Sequence, residues 1–227
     1  TAEGFKLYLH IYNWPLNKKL YLTGIMQSPQ KIYLLADKQK AALQFLHSDA
    51  FTEIQLTSKE PDNYVSVVVV AYESKPEIID GIVSKTVDGG YSLLPQNQNP
   101  EDKSLIVNRK ERGGTVPYHV IVKNNKTFSW KIYVDEPGEK NIDVSYSFQN
   151  ESDKSKLAVT VAGKTISQVI SNTGKTVGEP NQNWVIDNYK SNRLGKINFP
   201  EKGFYDIKLD IEPSKEEDVK FQWVWIK

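Results

Sequence analysis

Residues 128–148, FSWKIYVDEPGEKNIDVSYSF, constrain the fold more than any other stretch, because they hold two period-two apolar runs around a turn. Phe128, Trp130, Ile132 and Val134 take alternate positions of the first run, and Ile142, Val144, Tyr146 and Phe148 those of the second. Lys131, Asp135, Asn141 and Asp143 fall on the positions between. Successive strand residues point to opposite faces, so this spacing predicts two strands, each with one apolar and one polar side. Glu136-Pro137-Gly138-Glu139-Lys140 supplies a fixed φ and a glycine that accepts positive φ, so the expectation is a half-buried β-hairpin. A hairpin with one greasy face needs a second sheet over it.

The rest of the chain supplies strands for that purpose. Residues 91–94, 116–122, 156–161, 165–170, 184–187, 204–211 and 219–226 read as strands at short intervals, which indicates a sandwich or jelly roll. In 204–211 the odd positions Tyr205, Ile207, Leu209 and Ile211 are apolar while Asp206, Lys208 and Asp210 are charged, so one face is wet. In the last run Phe221, Trp223 and Trp225 share one face and Val224 and Ile226 the other, as in a central strand.

Before residue 75 the texture differs. Short β runs at 7–12, 19–22, 31–35, 52–56 and 65–72 are separated by Asn13-Trp14-Pro15, Asn17, Ser28-Pro29 and Pro61-Asp62-Asn63. The unalternating VSVVVV of 65–70 suits a strand covered on both faces. Helical propensity is concentrated in 36–47, twelve residues without a clear cap. The expected fold is therefore all-β, with two β-sandwich domains, 1–75 and 76–227, the second a jelly roll. A sandwich of about 75 residues buries only about 60% of its unfolded surface and is expected to lean on something else.

Charge and composition exclude several functions. Lysine and arginine number 29 against 28 acids, giving a net charge of +1 with no basic run, so nucleic acid is not an expected partner. No apolar run reaches the roughly 18 residues of a membrane-spanning helix. The absence of cysteine removes disulfides, thiolate metal sites and cysteine nucleophiles. His10, His47 and His119 stand apart, without zinc spacing or a serine elbow, and read as structural. Asp206/Asp210 and Glu216/Glu217/Asp218 read as solvated faces, and Gly113-Gly114-Thr115 as a turn without the lysine of a phosphate loop. No cofactor and no catalytic residue is expected. Thr1 opens the chain without an initiator methionine, so a processed product or a piece of a longer protein is expected.

One stretch carries binding chemistry. Residues 178–195, GEPNQNWVIDNYKSNRLG, place Asn181, Gln182, Asn183, Asn188, Asn192 and Arg193 beside Trp184 and Tyr189. Planar amides and a guanidinium pair with adjacent sugar hydroxyls, while an aromatic face covers the apolar side of the ring. The candidate carbohydrate site is therefore Trp184, Tyr189, Arg193, Asn181, Asn183 and Asn188. A polar loop between strands, with Trp184 in the core, accounts for the same residues.

The first third of the chain resembles the small C-terminal β-domain of the α-L-fucosidases, retaining glycoside hydrolases with a catalytic (β/α)₈ barrel. The matching pieces are LYLHIYNWP at 7–15, LYLTGI at 20–25, KIYLLAD at 31–37 and the run 65–70, in the same order and spacing. Lys38 stands where that pattern usually has a hairpin glycine. Residues 78–227 resemble, more loosely, galactose-binding-like carbohydrate-binding jelly rolls, through 130–148, 157–163, 203–211 and Phe221-Gln222-Trp223-Val224. The resemblance implies a non-catalytic C-terminal fragment, whose first domain supports an absent barrel and whose second binds fucosylated or other glycans or only extends the scaffold. It implies a periplasmic or extracellular location through the parent enzyme. Gln222 stands where such modules often carry an acidic calcium ligand, and a neutral amide is a poorer ligand, so no metal is expected.

Overall fold

The computed structural model describes residues 4–86, 88–99, 119–150, 154–175, 187–214 and 218–227. Among them every regular element is a strand except one 3-10 turn, Pro95–Asn97, so the chain is all-β. Packing separates two units, Thr1–Gly90 and Tyr91–Lys227. Ile78, Ile79 and Ser84 are tied to residues 23–25 of the first of these. Ile79 N donates to Gly24 O at 2.7 Å, Ile25 bridges to Ile78, and the Thr23 and Ser84 hydroxyls meet at 2.5 Å.

Unit 1 contains β1 (Phe5–Ile11), β2 (Lys19–Thr23), β3 (Lys31–Leu34), β4 (Phe45–Ser48), β5 (Phe51–Gln55), β6 (Ser66–Tyr72) and the short β7 (Ile82–Val83). Two antiparallel sheets, β1–β6–β3 and β2–β5–β4, enclose a core that includes Ile11, Ile32, Ile54, Val68, Val70 and Tyr72. As its unbroken valines require, β6 is central, and Val68, Val69 and Val70 are fully buried.

The helical propensity of 36–47 is overridden. The Asp37 carboxylate accepts from the amides of Gln39 at 3.0 Å and Ala41 at 2.7 Å, and Lys40 sits at φ 51°, so a tight turn forms. The chain then enters β4, where Phe45 pairs opposite Ile54 and packs on the core. A helix nucleus is costly, and burying Phe45 in the sandwich is the larger gain.

Unit 2 contains β8 (Tyr91–Leu93), β9 (Val120–Val122), β10 (Lys126–Val134), β11 (Gly138–Ser147), β12 (Lys156–Val161), β13 (Lys164–Val169), β14 (Lys190–Phe199), β15 (Gly203–Glu212) and β16 (Val219–Ile226). One sheet runs β13–β12–β15–β10 and the other β14–β11–β16–β8, with β9 also paired to β16. From β10 to β16 the chain passes repeatedly between the two sheets, the wrapping of a jelly roll.

This topology corrects the hairpin expected at 128–148. The apolar phases hold, since Phe128, Trp130, Ile132 and Val134 and also Ile142, Val144, Tyr146 and Phe148 are buried. The pairing does not: β10 pairs with β15 (Trp130 opposite Ile207), whereas β11 pairs with β14 and β16. Two apolar strand faces bury each other only from opposite sheets, so the proline turn carries the chain across the sandwich rather than back along one sheet. At the core the Phe128 and Phe221 rings lie 4.8 Å apart and the Phe128 and Trp130 rings 6.0 Å apart. Two buried polar groups of this core are paired, with Trp130 Nε1 donating to Leu94 O at 2.8 Å and Tyr91 Oη to Tyr133 O at 2.7 Å.

Two further differences shape the candidate site. Residues 190–199, expected to lie partly in a polar loop, form β14 along the edge of the sheet. Its period is broken where pairing slips between Ile142 and Asp143, and Gly195 there has φ +155° with Ile166 Cδ1 only 3.2 Å from where a Cβ would stand. In β16 the pairing slips between Ser145 and Tyr146, with Gln222 as the extra residue. Val219, Phe221, Val224 and Ile226 consequently face the core, and Phe221 does not share a face with Trp223 and Trp225.

Candidate functional site

Of the residues predicted to bind sugar, Asn181, Asn183 and Trp184 lie outside the described residues, as does most of the strand expected at 184–187. Asn188 and Tyr189 immediately precede β14, and Arg193 lies on it. The Asn188 side-chain amide donates to Thr173 O at 2.7 Å, which ties this segment to the chain just after β13. The Tyr189 ring lies 5.9 Å from that of His119, tilted by 47°. Its hydroxyl is buried without a partner among the described residues, and burial together with the Asp187 charge pushes the phenol well above its ordinary value. Asp187 pairs with Lys220 at 2.5 Å.

Arg193 belongs to a different surface. Its Nε and Nη2 donate to the two carboxylate oxygens of Asp143, the second at 3.2 Å, and Nη1 donates to Asn141 Oδ1 at 2.8 Å. The Asp143 carboxylate holds the guanidinium above its ordinary pKa. Asn188 and Arg193 are thus committed to unrelated partners.

The open face of the β14–β11–β16–β8 sheet follows from the register. Ile142 and Val144 face the core, so Asp143 and Ser145 between them face away, Asp143 partly exposed and Ser145 almost wholly covered. Directly paired residues share a face, which aligns Arg193, Asp143, Trp225 and Ser92 in one row across four strands, and Ser191, Ser145 and Trp223 in the next. Both tryptophans are partly exposed. The bulge at Gln222 sets this arrangement, since it puts Phe221 inside and Trp223 outside on one strand. Gln222 Oε1 accepts from the Ser145 hydroxyl at 2.8 Å.

Indole hydrogen bonding separates the described tryptophans. Trp14 Nε1 donates to Thr57 O at 3.3 Å and Trp130 Nε1 to Leu94 O. Neither Trp223 nor Trp225 has an acceptor for its indole N–H among the described residues. Arg193 likewise uses three hydrogen bonds of the five its guanidinium can donate. The sequence does carry a trace of this face. The buried apolar residues of β16 are 219, 221, 224 and 226, and the three-residue step from Phe221 to Val224 is the signature of a bulge.

No group of three or more histidine, aspartate or glutamate side chains suited to a metal ion occurs among the described residues. Both ring nitrogens of His47 are engaged, by Thr52 Oγ1 at 2.8 Å and Met26 O at 3.1 Å. No described helix is long and apolar enough to cross a membrane.

No family model and no curated protein matches the chain. Among solved structures it is similar to an α-L-fucosidase from Vibrio sp. strain EJY3, with a TM-score of 0.52 and 18% identity over 97% of this chain and 37% of that one. It is also similar to the C-terminal CBM6 of LamC, a marine laminarinase from Zobellia galactanivorans, with a TM-score of 0.40 and 17% identity over 61% of this chain and 99% of that one. A third similar structure is the larvicidal Cry4Aa toxin from Bacillus thuringiensis, with a TM-score of 0.46 and 7% identity over 86% of this chain and 30% of that one. The chain spans little more than a third of the fucosidase it matches. At these identities the likeness is one of fold, an all-β architecture that the fucosidase match follows through nearly the whole chain.

Proposed function

We propose that this chain is a non-catalytic C-terminal region of an α-L-fucosidase-like glycoside hydrolase, in which unit 1 supports a catalytic barrel and unit 2 holds fucosylated or other glycan. The observation that carries the reading is a fold match to an α-L-fucosidase that runs through both units, added to the sequence resemblance at 7–37 and 65–70. The distribution of apolar surface supports it as well. Of eleven exposed large hydrophobic residues among those described, nine lie in unit 1, among them Leu16, Tyr64, Tyr12 and Leu46, which gives that sandwich surface to bury against a neighbour.

The length of the unprocessed polypeptide tests the reading. Mass spectrometry of the native gene product should find a chain about twice as long or more, with a barrel-sized segment of about 250 residues or more ahead of Thr1. That longer product should cleave an aryl α-L-fucoside, and the 227-residue chain alone should not. A native product no longer than this chain overturns the reading and leaves a stand-alone surface protein.

A further inference from the structure

The open face of the β14–β11–β16–β8 sheet presents a combination that no other described surface has: two partly exposed indoles on one strand, flanked by fixed polar groups. We infer that this face binds successive rings of a linear neutral oligosaccharide, with Trp223 and Trp225 as consecutive platforms and the Arg193–Asp143 pair as the hydrogen-bonding rail. The inference rests on the reading of unit 2 as a glycan-binding module and places its ligand on the sheet.

Trp223 and Trp225 are two residues apart on a central strand, about 6.6 Å along it, so a single sugar ring cannot cover both and two linked rings can. An indole face buries the C–H side of a pyranose, and its edge N–H remains for a hydroxyl. Both indole N–H groups lack an acceptor among the described residues, unlike those of Trp14 and Trp130. In the same row as Trp225, one strand beyond Asp143, Arg193 is locked by Asp143 and Asn141 with donors to spare, a geometry that pairs with adjacent hydroxyls. Beside Trp223, Ser145 and Gln222 fix each other.

Neutrality follows from the charges. Along this face the ions are paired: Arg193 with Asp143, Lys196 with Glu139 at 2.8 Å, and Lys220 with Asp187. Among the described residues an acidic polymer finds no excess of cations there to answer it. The strand that carries the platforms is bulged to turn them outward, at the cost of a ladder position, and bulges recur where a side chain must be re-aimed.

The test is calorimetric titration of the intact chain with neutral linear hexasaccharides (β-1,4-glucose, β-1,4-xylose and β-1,3-glucose), their monosaccharides, and polygalacturonate. At least one hexasaccharide should bind, its monosaccharide about tenfold or more weakly, and Trp223→Ala and Trp225→Ala should each lower affinity about tenfold. In a Trp184→Phe background the same hexasaccharide should shield tryptophan fluorescence from acrylamide, a readout that requires no change at the face. Binding lost in Trp184→Ala but intact in both sheet variants overturns the inference while glycan binding by unit 2 stands. Binding of no hexasaccharide, equal binding of the monosaccharide, or preference for polygalacturonate overturns it too, and the barrel reading is then decided separately by polypeptide length.

Discussion

The two units bury different things. Of the nine aromatic side chains that are almost wholly inaccessible among the described residues, eight, including Trp130, Phe128, Phe221 and Tyr146, belong to unit 2, and Tyr72 to unit 1. Unit 1 fills its interior with Ile32, Ile54, Val68 and Val70 and leaves Tyr8, Tyr12 and Tyr64 largely outside. Strand length goes with this: β10, β11, β14 and β15 run nine or ten residues, whereas β1 and β6 run seven and β2 to β5 four or five. Longer strands cover wider aromatic layers, so unit 2 has the larger aromatic interior among the described residues. Unit 1 is short on buried area and long on apolar surface, the profile of a body that completes itself against another.

The largest expected effect tests whether that aromatic interior belongs to unit 2 alone. Trp130 is buried between Phe128 and Phe221 and satisfies its indole N–H on Leu94, so Trp130→Ala leaves both a cavity and an unpaired carbonyl. A loss of about 3–5 kcal/mol is expected from the cavity alone. In a calorimetric scan the transition of unit 2 should fall sharply and that of unit 1 should stay in place. One merged transition moving as a whole would break the comparison, because the units would then share a core.

A smaller effect sharpens the contrast in polar satisfaction. Tyr91 Oη donates to Tyr133 O inside unit 2, at 2.7 Å. Tyr91→Phe keeps the ring and strands that carbonyl, at a cost of about 1–3 kcal/mol. Chemical denaturation should show the midpoint of unit 2 lowered with its slope unchanged.

These contrasts were only partly legible in the sequence. The alternation in 128–148 gave the buried face of each strand correctly, because the pleat is local, but it could not name the partners, because β15 and β16 enter from elsewhere in the chain. β14 was obscured by its polar edge position and by the slip at Gly195, which breaks the period on which strand recognition depends. Asp37 hid a turn inside a helix-like composition, and only its two amide contacts reveal it. At the candidate site, residue types suggested sugar chemistry, but partners decide availability. Asn188 is held by Thr173, 15 positions away, and Arg193 by Asp143, 50 away, and neither pairing is written in local spacing. Trp223 and Trp225 read as core because an unbroken strand would have put them on one face with Phe221.

The smallest effect at neutral pH concerns Tyr72, the lone aromatic of unit 1 that matches those of unit 2 in burial. Unlike Tyr91, its hydroxyl is buried without a partner among the described residues. Burial pushes its pKa from 10.0 up to about 12. The unfolded chain gives up this proton near pH 10, while the folded chain holds it until about pH 12. The unfolded state therefore binds fewer protons within that window. The stability of unit 1 is intact below pH 10 and declines as pH rises from 10 to about 12. Tyr72→Phe removes an unsatisfied hydroxyl and the titration together. At pH 7 it should change the unfolding temperature of unit 1 little or raise it slightly, and between pH 10 and 12 the variant should lose distinctly less stability than the wild type. Thermal scans of both proteins across that range measure the difference. Identical alkaline limbs would show that Tyr72 reaches solvent before unit 1 unfolds, and the interior of the smaller sandwich would then be looser than its burial indicates.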